Sequence, residues 1–185
     1  MSSTDPSGRH ALVPHPTTPC AEVRSITVGL ARPSPAILVV EYRLLGDLAA
    51  LRFPEPRAPV RADGLWQHTC FEAFIGQSGG RAYWEYNFSP SGAWAAYQFS
   101  GYREGMAPLM KGAAPVISVR EAPESFEMSV AVDLSWITRT AAAELVLGAA
   151  AVVETQARGL SYWALKHVAE KPDFHQADSF VLPLD

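Results

Sequence analysis

Fifteen prolines and thirteen glycines cut this chain into short segments, many of them rich in aliphatic and aromatic residues. Punctuation of that density suits strands joined by turns and leaves little room for long helices. Candidate strands cover 24–30, 36–44, 67–75, 82–88, 93–99, 115–120, 125–133, 144–155, 160–166 and 178–182. Only 134–143 reads as helical, with Ser135 as its N-cap. The pattern predicts an all-β fold, an antiparallel β-sandwich of about ten strands with one short helix. Residues 21–185 are expected as a single domain, with 1–20 an N-terminal extension packed on it or partly flexible. The proline-rich "RFPEPRAPVRADG" reads as a long rim loop between strands.

At 185 residues the chain is long enough for one sizeable core. A net charge of -4 with no run of Lys or Arg gives no footprint for nucleic acid or an anionic membrane. No apolar window is long enough to span a bilayer. The polar, proline-rich N-terminus has no signal-peptide character, so a cytoplasmic location is expected. Cys20 and Cys70 make neither a disulfide framework nor a zinc pattern, and the absence of C-x-x-C-H excludes covalent haem attachment.

The stretch "YWEYNFSPSGAWAAYQFSGYREGM", from Tyr83 to Met106, concentrates the chemistry. The loop "GQSGGR" closes a hairpin before it, and "SPSG" has type I turn preferences. The expected register pairs Glu72 with Glu85 and Cys70 with Asn87, then Phe88 with Ala93 and Asn87 with Trp94. Alternation then sorts two faces. Phe71, Ile75, Trp84, Tyr86, Phe88, Tyr97 and Phe99 would face the core. Trp66, His68, Glu72, Tyr83, Glu85, Asn87, Trp94, Ala96 and Gln98 would face the other way. Opposed glutamates repel and call for a cation, a shared proton or an arginine such as Arg103 or Arg81. Flat aromatics beside acidic and amide groups suit a sugar, which offers C–H faces to rings and hydroxyls to acceptors.

Three segments, "DGLWQHTCFEAFI", the stretch from Tyr83, and "LSYWALKHVAEKPDFHQADSFVL", together with "VPHPTTP", resemble bacterial DOMON-like proteins. These are stand-alone relatives of the family-nine carbohydrate-binding modules, and the resemblance runs over nearly the whole chain. It implies a β-sandwich with a ligand site, in a superfamily whose characterised members bind sugars or haem. In the sugar-binding relatives two tryptophans sandwich a saccharide, and structural calcium ions can accompany them. Trp66, Trp94 and Trp163 are the clamp candidates here; Trp84 and Trp136 read as structural.

Near the C-terminus, His167, Asp173, His175 and Asp178 sit in one loop. Asp-x-His-x-x-Asp has ligand types for a divalent ion, and pocket lining is the competing reading. The haem alternative uses Met106 or Met110 with His167 or His175. The enzyme alternative makes Glu72 and Glu85 the carboxylate pair of a glycoside hydrolase. The expectation that results is non-catalytic binding of a small polyhydroxylated ligand, a saccharide, with no catalytic residues assigned and the oligomeric state left open. Its site would comprise Trp66, His68, Glu72, Tyr83, Glu85, Asn87, Trp94, Arg103, Trp163, His167, Asp173 and His175.

Overall fold

The computed structural model describes residues 8–138, 144–157 and 159–184. Among these residues twelve strands form: β1 (His10–Pro14), β2 (Val23–Ser34), β3 (Ile37–Gly46), β4 (Cys70–Gln77), β5 (Tyr83–Phe88) and β6 (Trp94–Phe99), then β7 (Ala107–Pro108), β8 (Val116–Ala122), β9 (Ser125–Asp133), β10 (Leu145–Glu154), β11 (Leu160–Ala164) and β12 (Leu182–Leu184). Among the described residues helix is almost absent: a single α-helical turn, α1 (Ser135–Thr138), and three 3₁₀ turns. The rest of the expected helix, residues 139–143, lies outside the described residues. At the start of α1, Asp133 Oδ1 accepts the Ser135 N–H at 2.9 Å.

Hydrogen bonding runs through one continuous antiparallel sheet in the order β7-β6-β5-β4-β10-β11-β1-β2-β3-β9-β8, with β12 also on β10. Where about ten strands were expected, the short β1 and β7 are additions. Segment 178–182 divides into a 3₁₀ turn at Ala177–Ser179 and then β12. β1 is the link between the two halves, pairing with β2 on one side and β11 on the other.

The sheet curls so that β3 and β9 meet β4 across the core. The Tyr42 hydroxyl donates to the Glu72 carbonyl at 2.7 Å. Phe71 lies 5.1 Å from the Tyr42 ring and stacks on Phe126 at 5.4 Å. Alternating burial along β3 and β9 marks sheets with one wet face. β4 and β10 are instead buried on nearly every residue. One of their faces meets the main core; the other is covered by loops, and there the site forms.

The proline-rich excursion packs along the open edge of β6. Ala62 N–H donates to the Trp94 carbonyl, and Trp94 N–H to that of Val60. The Arg61 guanidinium lies 4.4 Å from the centre of the Trp94 ring and donates to the carbonyls of Ala96 and Leu109. Covering an edge this way blunts its tendency to pair with other chains.

Candidate functional site

Register decides which side chains share the loop-covered face. β4 and β5 pair Glu72 with Asn87 and Phe74 with Glu85. This is two residues from the expected pairing, so the faces keep their parity while Glu72 and Glu85 become diagonal neighbours. The next hairpin differs by one residue: Phe88 pairs with Trp94, and Asn87 with Ala95. The cause is in the turn. Gly92 N–H donates to the Ser89 carbonyl, closing the type I turn, and Gly92 then takes φ 92°. Ser89 N–H next bonds Ala93 O, a three-residue loop with a left-handed glycine. A one-residue change inverts every side chain of the strand. Tyr97 and Phe99 therefore join Glu85 on the site face, whereas Trp94, Ala96 and Gln98 face the other side.

Segment 172–180 covers this face. Phe180 stacks on Phe74 at 5.8 Å and meets Tyr83 edge-on. It seats over glycines: a Cβ on Gly148 would stand 2.6 Å from the Phe180 ring. Phe174 is buried against Phe74 and Tyr162. Asp173 holds the covering loop to the neighbouring turn. Its carboxylate accepts from Tyr102 Oη at 2.6 Å, Arg103 at 3.0 Å, and Gln176 and the His175 N–H at 3.1 Å. Arg103 reaches it from a left-handed backbone at φ 53°, a conformation costly for a residue with a side chain.

Between sheet and loop lies a cavity of about 330 Å³, at the small end of ligand sites. Glu72 and Glu85 form its floor, and Trp66, Phe99, Tyr162 and Phe174 offer aromatic surface. Arg103, Met106, Pro172, Asp173 and His175 make the rim, with Val152 filling the remaining wall.

The floor is electrostatically strained. Burial, reinforced by the nearby Glu85 charge, pushes the Glu72 carboxyl well above the usual carboxylate range against the opposing pull of Arg103. Burial raises Glu85 as well, tempered by Asn87 Nδ2, which donates to it at 2.6 Å, and by Arg103. Burial, then the Arg103 charge, drops His175 to about 4, against the pull of Asp173, so it is neutral near pH 7. The Tyr83 hydroxyl takes the Arg103 N–H at 3.3 Å and is 2.8 Å from His175 Nδ1. It thus donates to Nδ1, leaving the proton on Nε2, which faces Glu85 at 4.0 Å. Burial raises Tyr83 to about 12, so it remains a donor.

The cavity brings together Trp66, Glu72, Glu85, Arg103, Asp173 and His175, with Tyr83 and Asn87 one hydrogen bond behind. Four other expected site residues lie elsewhere. Trp94 packs on the opposite face under Arg61. Trp163 is buried in the main core. His68 bonds Glu154 at 2.8 Å. His167 bonds the Val13 carbonyl and meets His15 edge-on. Arg81 pairs with Glu104 on the surface and does not separate the glutamates. Phe99, Tyr162, Val152 and Phe174 were not anticipated as lining. Phe99 follows from the inverted register, and the others from long-range packing.

Metal and haem do not fit these surroundings. Among the described residues, no group of three His, Cys, Asp or Glu side chains is placed to hold a metal ion. Asp173 is already saturated with donors. For a haem between Met106 and His175, Nδ1 is taken by Tyr83, Nε2 faces Glu85, and the floor is two carboxyls. Met110 is 80% exposed.

No family profile matches the chain, and no curated protein matches it. Its fold is similar to that of a candidate carbohydrate-binding protein from Bacteroides uniformis ATCC 8492. The TM-score is 0.63 at 13% identity, over 94% of this chain and 86% of that one. A family-nine carbohydrate-binding module from Caldicellulosiruptor kristjanssonii, in complex with glucose, aligns with a TM-score of 0.43 and 11% identity. That alignment covers 76% of this chain and 66% of that one; it is too loose to carry an argument.

Proposed function

We propose that this chain is a non-catalytic binding domain for a small saccharide, held in the cavity between the β4–β5–β6 face and segment 172–180. We read the curled sheet as a sandwich of the DOMON-like type, working in the cytoplasm. The observation that carries the reading is the combination lining the cavity: buried acceptors at Glu72 and Glu85 together with the aromatic side chains of Trp66, Phe99 and Tyr162. Sugar hydroxyls find acceptors below, and ring C–H groups find aromatic surface beside them. The fold likeness to a candidate carbohydrate-binding protein supports it.

A thermal-shift and calorimetric panel of monosaccharides and disaccharides tests the proposal. Trp66 is 38% exposed, and Trp66→Ala should weaken sugar binding roughly tenfold or more while the circular dichroism of the folded chain is retained. Unchanged affinity in both Trp66→Ala and Glu72→Gln would place the site elsewhere. Turnover of aryl-glycosides that vanishes in Glu72→Gln would convert the binder into a hydrolase.

A further inference from the structure

Among the described residues three acidic side chains are buried, and one of them has no hydrogen-bond or ion-pair partner on its carboxyl. Glu154 has His68 at 2.8 Å and Arg52 at 3.9 Å; Glu85 has the Asn87 amide at 2.6 Å. Glu72 is 3% exposed, lines the cavity, and takes no hydrogen bond or ion pair on its carboxyl from the described residues. Its carboxyl oxygens reach the cavity and are not sealed in protein, so a ligand can supply the donor they lack. We infer that the cavity takes a ligand bearing a protonated amine, an amino sugar within the saccharide reading on which this rests, with the ammonium seated on Glu72.

The surroundings favour a cation over a neutral hydroxyl. Facing Glu72 are Cys70 on its own strand, Asn87 and Glu85 on β5, uncharged Ala150 on β10, neutral His175, and Arg103. Among the described residues Arg103 is the one positive charge on the cavity wall, and it is bound to Asp173. An ammonium is attracted to Glu72 and Glu85 together and makes charge-assisted bonds stronger than a hydroxyl's. In the free protein, burial and the Glu85 charge raise the proton affinity of the Glu72 carboxyl. Binding an ammonium favours the ionised form, so the Glu72 proton leaves to the buffer while the amine keeps its own. Charge and protons balance: a neutral acid and a cation become an ion pair plus one released proton.

Calorimetry of the full chain with glucosamine, glucose and N-acetylglucosamine, in two buffers of different ionisation heat, reads this directly. Glucosamine should bind about tenfold more tightly than the two neutral sugars and release protons to the buffer on binding, where they release none. Glu72→Gln should erase both the preference and the proton release, while Trp66→Ala weakens all three sugars alike. Glucose bound as tightly as glucosamine, without proton release, overturns the ammonium inference and leaves the saccharide reading standing. Ethanolamine bound with proton release, when no sugar binds, retains the ammonium site and removes the saccharide. If neither class binds, both fall.

Discussion

Glu72 sits where a carboxylate is least comfortable, on a central strand, 3% exposed, diagonal to a second buried acid. Its proton affinity is raised in the folded chain, so folding favours the protonated form. As pH climbs through and above the ordinary carboxylate range, the unfolded chain loses that proton while the folded chain retains it. Stability therefore falls across the window from the ordinary value up to the raised one. Glu72→Gln removes the dependence. The variant should be more stable than the parent at neutral pH, on the order of 1–3 kcal/mol, with the difference vanishing below about pH 4. Urea denaturation at both pH values checks this. A variant less stable at neutral pH would show that the carboxylate, ionised, helps hold the fold. A site that is costly in the free protein suits a ligand anchor. The raised thiol of buried Cys70 has no such outlet, and its burial makes it unreactive.

The β5–β6 hairpin shows how one glycine selects a face. "SPSG" specifies a type I turn, but the left-handed Gly92 extends the loop by one residue, to three, and shifts the next strand by one. Composition offered no check, because the aromatic and small residues of β6 occupy both parities. Trp94 and Gln98 are no more apolar as a set than Tyr97 and Phe99. By contrast, the β4–β5 parity was readable: any odd shift would have carried Glu72, Glu85 and Asn87 into the main core, where nothing compensates them. Gly92→Ala must place a Cβ at positive φ, 3.2 Å from the Arg57 carbonyl. It should destabilise the chain by about 1–2 kcal/mol and weaken ligand binding, since Tyr97 and Phe99 depend on the turn. Equilibrium unfolding measures the first effect. An alanine variant as stable as the parent would mean that the turn tolerates a different loop.

At the scale of the whole molecule, the two halves of the curled sheet are stitched by a short strand inside the segment expected to be an extension. Leu12 of β1 is buried in the core, β1 pairs on both edges, and the Thr18 carbonyl accepts from Ser161. Removing residues 1–19 should therefore cost several kcal/mol, from lost apolar burial and two opened edges. The loss should appear as a lower urea midpoint of the whole transition. A truncated chain with an unchanged midpoint would reduce β1 to a passive appendage. The sequence by itself determined the all-β class, most strand positions, and the segregation of Glu72, Glu85 and Asn87 from the core. Those follow from local periodicity and turn chemistry, which neighbouring residues carry. The tertiary structure decided which aromatics stand beside the acids. Trp94 and Trp163 turn away, while Phe99, Tyr162 and Phe174 arrive from a shifted hairpin, a distant strand and a covering loop. Such meetings depend on register and on contacts far apart in the chain, where one residue of slip moves a side chain to the other side of the sheet.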